Sequence, residues 1–225
     1  MEDQEKKIKA IVYPNTKSPR LFKNKFLEFL TKTHPIIIIV MYTIVTYFLV
    51  SYYRQSTGAS IGNTAGLFLI GLFSWTLGEY LLHRFLYHKI GDASYDSGIH
   101  YLFHGIHHEY PNDISRTVLP PVPSLIIAAI LFSLFYLAMG IYAFVVGPGF
   151  LIGYSLYMYL HYMVHKRKPL KKWDFWWRHH NIHHFQQHDR AFGVSSSLWD
   201  HVFGTMPEKG RKTVDIIMKR KNKEN

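Results

Sequence analysis

"PIIIIVMYTIVTYFLVSYY", residues 35–53, holds no Asp, Glu, Lys or Arg. As a helix rising about 1.5 Å per residue it is roughly 28 Å long, close to the ~30 Å hydrocarbon core of a bilayer. Three further apolar runs follow, Thr64–Leu82, Ser124–Val146 and Phe150–His165. Short connectors, residues 54–63 and the Gly147-Pro148-Gly149 triplet, separate them in pairs, as expected for two helical hairpins. The expected fold is all-α, with four transmembrane helices in two hairpins.

A chain of 225 residues suits one domain of moderate size. Ahead of the spans lies a basic segment, residues 1–34, and the membrane domain takes residues 35–225. Within that domain a cap is expected from residues 83–123 and 166–208, followed by a basic tail, 209–225. Met1–Thr33 is charged and mixed rather than a secretory signal, so the first run should remain as an anchor. In residues 13–33, Leu21, Phe22, Phe26, Phe29 and Leu30 recur at roughly helical spacing among lysines. That pattern reads equally as an amphipathic helix on the membrane surface and as a solvated tail.

The formal net charge is +11, but the Lys and Arg sit at the chain ends, flanking apolar runs, so no nucleic-acid partner is expected. Met1–His34 carries eight of them, the stretch after His165 fourteen, and the two connectors only Arg54. By the positive-inside rule both termini are cytoplasmic, in the endoplasmic reticulum of a eukaryote or the inner membrane of a bacterium. The final "KNKEN", residues 221–225, resembles a dilysine retrieval signal of the endoplasmic reticulum.

With this topology spans two and four deliver their C-terminal ends to one face, and thirteen of the fifteen histidines gather there. "HRFLYH" holds His83 and His88, five apart and off one α-helical face, so a break or turn is expected between them. "HGIHH" holds His104, His107 and His108, "HYMVH" holds His161 and His165, and "HNIHH" holds His180, His183 and His184. Residues three and four apart share a helix side and can reach one metal. Ten imidazoles suffice for two ions at about five each. Packed without metal, the rings would repel as cations or leave buried nitrogens unpaired, and a divalent ion that takes the neutral ring as ligand resolves this.

No cysteine is present, so thiolate zinc sites, iron–sulfur clusters and disulfides are excluded. Imidazole alone does not choose between zinc, iron, copper and nickel. Zinc has no redox chemistry. A site at the mouth of apolar helices is placed to receive a lipid chain, and an unactivated C–H bond calls for an oxidising centre, which favours two irons.

The chain resembles the fatty acid hydroxylase branch of the fatty acid hydroxylase/sterol desaturase superfamily. The resemblance rests on "EYLLHRFLYH" (79–88), "HGIHHEYP" (104–111), "GYSLYMYLHYMVH" (153–165), "HHNIHH" (179–184) and "FGVSSSLWDHVFGT" (192–205), in that order. It implies a membrane-bound di-metal enzyme whose ligands are His83, His88, His104, His107, His108, His161, His165, His180, His183 and His184. It also implies hydroxylation of a fatty acyl chain, using O2 and reducing equivalents. Iron is the implied working metal, with zinc an alternative in a purified sample. The most similar branch, the fatty acid 2-hydroxylases, attacks C2 of free or sphingolipid acyl chains. Many of those enzymes carry an N-terminal cytochrome domain, for which 34 residues are too few, so a separate electron donor of cytochrome or ferredoxin type is expected. They also tend to have Tyr-Asp where this chain has Tyr157-Met158, so head-group recognition or the position of attack would differ.

Other residues have paired readings. Glu79, one turn before His83, either accepts the second ring N–H of a ligand or is a helix-end charge. Asp189 and Asp200 share those readings. Tyr157 and "WDFWW" (173–177) line an acyl tunnel or belong to an interfacial aromatic belt. His100, His179 and His188 read as supporting or exposed, and His34 and His201 as ordinary. A desaturase, sterol oxidase or carotenoid hydroxylase would use the same site, and a metal transporter or a zinc scaffold is the rival from another class.

Overall fold

The computed structural model describes residues 8–89, 98–169, 172 and 174–219, and these are mostly helical. The elements run β1 (Ile8–Val12), α1 (Lys25–Phe29), α2 (Pro35–Thr57), α3 (Ile61–Leu81), α4 (Gly98–His100), α5 (Ile106–Glu109), α6 (Pro121–Met139), α7 (Ala143–Lys166), α8 (Asp174–Phe185), α9 (Leu198–Val202) and β2 (Val214–Met218). Two π-helical turns, Leu82–Tyr87 and Tyr101–Gly105, follow α3 and α4. "KNKEN", Trp173 and residues 90–97 of the expected 83–123 cap lie outside the described residues.

Two compact units form. The first gathers Met1–Arg20, Glu79–Thr117 and His161–Asn225, and the second Leu21–Gly78 and Val118–Leu160.

In the second unit, three stretches are long and apolar enough to cross a membrane, Pro35–Thr57, Ile61–Tyr87 and Ile114–Lys166, the last two continuing into the first unit. Pro35 starts α2, a position where its missing N–H costs nothing, and His34 Nδ1 accepts the Ile36 N–H. Gly58, at φ 64°, ends α2 in the left-handed conformation glycine adopts freely. Ile36, Val40, Ile44, Phe48, Ile130 and Leu137 are exposed, a surface suited to lipid rather than water. Inside the unit, Trp75 packs on Phe150, Tyr154 and Tyr157, and Tyr42 Oη meets Ser124 Oγ at 2.6 Å.

Gly147-Pro148-Gly149 does not form the expected connector. α7 runs through it, and the break falls at Gly140–Tyr142, where Gly140 takes φ 56°. The physical reason is packing. A Cβ on Gly149 would sit 2.1 Å from the Phe68 carbonyl oxygen, one on Gly71 2.0 Å from that of Val146, and one on Gly153 2.5 Å from Trp75 Cβ. These glycines let α3 and α7 touch backbone to backbone, a contact that favours small residues between membrane helices. Near the amphipathic segment only the five residues of α1 are helical, capped by Asn24 Oδ1.

The first unit departs from the all-α expectation by one parallel strand pair, β1 with β2, in register from Ile8 opposite Val214 to Val12 opposite Met218. Thr213 N–H bonds the Gln186 carbonyl, which ties β2 to the end of α8.

Candidate metal centre

Every one of the ten expected histidines lies in the first unit, and they form two quintets: His83, His88, His104, His108 and His183, and His107, His161, His165, His180 and His184. In each, one ring nitrogen per residue lies within 4.8 Å of the others. Nine of the ten are buried and His165 is half-buried.

The spacing explains the partition. In each H-x-x-H-H motif the residues four apart, His104 and His108 or His180 and His184, share a quintet, while the third, His107 or His183, joins the other. Each motif thereby feeds both groups, and the quintets interlock, His108 stacking on His184 at 4.0 Å between centroids. His83 and His88 come together without a full break. The widened π turn Leu82–Tyr87 rotates less per residue than an α-helix, so a five-residue spacing stays nearer one face, and His88 then leaves in extended conformation. The carbonyl of Leu86 in that turn bonds Nδ1 of half-buried His100 at 2.9 Å.

Ring chemistry tests whether this set fits a metal. His83 Nδ1 lies 2.6 Å from the Phe192 carbonyl oxygen, His183 Nδ1 2.8 Å from that of Arg190, and His161 Nδ1 2.9 Å from that of Thr117. A carbonyl only accepts, so those nitrogens carry the proton and the neutral rings turn Nε2 lone pairs inward. There the Nε2 atoms crowd: His104 Nε2 lies 3.0 Å from that of His83 and 2.9 Å from that of His108, and His180 Nε2 3.0 Å from His161 and 2.8 Å from His165. Both nitrogens of His184 are buried with no hydrogen-bond partner among the described residues. Converging lone pairs and an orphaned imidazole in a dry interior are what a cation satisfies.

Protonation offers no alternative. Burial pushes His104, His107, His108, His180, His183 and His184 well below the ordinary histidine range, and neighbouring imidazoles push them further. The rings stay neutral, as metal ligands must.

The acidic candidates divide. Glu79 is buried but does not receive the ring N–H of His83, which goes to Phe192. Its carboxylate accepts the Val194 and Ser195 N–H groups and the Ser195 hydroxyl. Asp200, fully buried, accepts the N–H groups of Phe192 and Gly193 at 2.9 Å each, the Thr205 hydroxyl at 2.8 Å, and His179 Nε2 at 3.1 Å. Burial pushes the Asp200 carboxyl up, but those hydrogen bonds together hold it below its ordinary value. Asp189 pairs with Arg211 and Thr213, away from the rings. Tyr157 packs within the second unit on Trp75, and Trp176 Nε1 donates to the Ser195 carbonyl.

His179 and His188 are buried rather than exposed. His188 Nε2 meets the His184 carbonyl at 2.9 Å, its ring lies 5.0 Å from that of His108, and burial lowers it to about 4. Sequence reasoning missed the backbone acceptors Thr117, Arg190 and Phe192, since a carbonyl has no residue signature. The motif "FGVSSSLWD" marked their neighbourhood without their role.

Helices of membrane length and apolarity, together with two histidine quintets able to hold metal, define the class: a histidine-rich protein with apolar helices fit to cross a membrane and a candidate two-metal site. The family model Fatty acid hydroxylase matches residues 68–205. The dihydroceramide fatty acyl 2-hydroxylase FAH2 of Arabidopsis thaliana is 40% identical over 202 residues, 84% of this chain and 80% of that protein. The fatty acid 2-hydroxylase of Homo sapiens is 36% identical, over 87% of this chain and 59% of its own length. A solved structure described as full-length scs7p, with only the hydroxylase domain visible, superposes with a TM-score of 0.77 at 32% identity, covering 87% of this chain and 74% of that one. This chain belongs to the fatty acid hydroxylase family.

Proposed function

We propose that the protein is a membrane-bound di-iron monooxygenase that hydroxylates a fatty acyl chain at C2, on a free fatty acid or a sphingolipid. The observation that carries this is the pair of histidine quintets, nine of whose ten rings are buried. The relatives' names, dihydroceramide fatty acyl 2-hydroxylase and fatty acid 2-hydroxylase, support the substrate class and position. The balance is R–H + O2 + 2 electrons + 2 protons giving R–OH + H2O, with a separate cytochrome or ferredoxin supplying the electrons. Four membrane helices in two hairpins, with both termini cytoplasmic, would hold the cap at the inner face.

His83, His88, His104, His108 and His183 would hold one ion and His107, His161, His165, His180 and His184 the other. A bound pair of redox-active metal ions would supply the oxygen-activating, electron-accepting chemistry. The chain keeps the rings of His104, His107, His108, His180, His183 and His184 unprotonated by burial, aims His161, His183 and His83 through the carbonyls of Thr117, Arg190 and Phe192, and packs Phe192 against His83 and His88 to exclude water. The exposed apolar faces of the spanning helices admit a lipid substrate from the bilayer.

The test is turnover by iron-loaded protein in lipid under 18O2 with a chemical reductant. The expected product gains one labelled oxygen atom at C2. Loss of two hydrogens would make it a desaturase, and unlabelled product would exclude O2 as the oxidant. The zinc-loaded protein should be inactive, because zinc cannot change oxidation state.

A further inference from the structure

The two quintets are not supported alike. His83 and His183, both of one quintet, each give Nδ1–H to a carbonyl of the same short segment, Phe192 and Arg190. Between those two carbonyls stands Ala191 at φ 58°, the left-handed region that a residue with a Cβ rarely enters. Such a conformation persists only where its surroundings hold it. Here Asp200 holds it from one side, accepting both N–H groups that follow Ala191. Thr205 holds it from the other: its carbonyl takes the Ala191 N–H at 2.9 Å and its hydroxyl donates to Asp200. Gly193 fits because no Cβ is there; one would lie 2.0 Å from the Ser196 carbonyl oxygen and 3.0 Å from Asp200 Oδ2.

Among the described residues the other quintet shows no such strained turn behind its rings. His161 leans on the Thr117 carbonyl, while Nδ1 of His107, His180 and His184 is buried with no hydrogen-bond partner among the described residues.

We propose that Asp200, with Thr205, is a positioning residue for one ion of the pair: by fixing the strained turn at Ala191 it aims His83 and His183, so the His83 quintet owes its grip on metal to this carboxylate and the His161 quintet does not. The inference rests on the two-metal reading above. Loss of a hydrogen-bonding group behind a ligand typically costs 10–100-fold in metal affinity. An effect of that size is confined here to one site.

The experiment measures metal per chain and its release to a chromogenic chelator from the full-length protein in detergent. Wild-type protein should yield two ions. Asp200→Asn should keep one, and Thr205→Val, a milder change, should release half of the metal about 10-fold faster while the other half keeps the wild-type rate. In a His165→Ala background Thr205→Val should accelerate all of the remaining metal, and in a His183→Ala background none. Should Asp200→Asn fail to fold, Thr205→Val decides alone. Equal acceleration of both halves, or of neither, overturns the inference and leaves the two-metal reading standing. A wild-type yield below two ions overturns that reading instead.

Discussion

At the scale of single residues, the buried rings make stability depend on pH in a direction that can be worked out. The six quintet histidines outside the spans have folded values well below 6.5, and His188 stands at about 4. As pH falls through 6.5 the unfolded chain takes up protons that the folded chain refuses. Unfolding is then favoured, by up to about 1.4 kcal/mol per pH unit for each ring. The full stability is present above pH 6.5 and is lost progressively below it. Thermal unfolding of chelator-stripped protein should therefore move to lower temperature from pH 7.5 to 5.5. Metal-loaded protein should hold its midpoint further into acid, until proton competition releases the ions. A flat profile for the stripped protein would show that the rings protonate as readily folded as unfolded. Histidines of this kind were legible in the sequence because thirteen of them share one topological face. Glu79 was left there between two readings for a physical reason: adjacency on a helix says which histidine is near, but not that the Val194 and Ser195 N–H groups, more than a hundred residues away, claim the carboxylate.

At the scale of elements, the apolar runs announced helices, and glycine proved ambiguous. In sequence, Gly-Pro-Gly reads as a turn, whereas in the structure the glycines at 147 and 149 sit inside α7 and the turn is made by Gly140. What distinguishes the two uses is the neighbour met in space, the Phe68 backbone for Gly149 and no heavy atom within 4 Å for Gly140, and a single sequence does not carry that information. The same contrast gives a paired prediction. Gly149→Ala must push α3 from α7 and should cost about 1–3 kcal/mol or more. Gly66→Ala, with nothing within 4 Å of its Cβ, should be neutral or gain up to about 1 kcal/mol of helix propensity. Unfolding of both variants by denaturing detergent, compared with wild type, measures the difference; equal effects would mean the α3–α7 contact is not close. The π turn at Leu82–Tyr87 was half legible, since the five-residue spacing of His83 and His88 demanded some departure from α-helix without saying which.

At the scale of the whole molecule, the unit that carries both histidine quintets is assembled from three separated stretches of chain, and within it β1 packs on α5, the helix of His107 and His108. β1 pairs with β2, and β2 leads through Thr213 to the end of α8. Tyr13 stacks on Tyr110 at 4.8 Å. Further on, Ser18 gives its N–H and hydroxyl to buried Asp113 and accepts from buried Arg116. The turn at Ile114–Arg116 leads directly to Thr117, whose carbonyl orients His161. Neither strand was legible, because five-residue segments at opposite ends of a chain announce no partner. Two truncations should separate these links. Removing residues 1–12 deletes β1 and uncovers Val214, and should cost about 1–3 kcal/mol while leaving two ions bound, since among the described residues β1 hydrogen-bonds β2 and its flank and not a quintet histidine or a ring-orienting carbonyl. Removing residues 1–20 also takes Ser18 from Asp113 and Arg116, loosens the turn before Thr117, and should weaken retention in the His161 quintet. Metal analysis of both proteins after the same chelator wash reads the outcome. If the shorter truncation already sheds metal, the strand pair supports the site directly; if the longer one sheds none, the Thr117 carbonyl is held without the N-terminal segment.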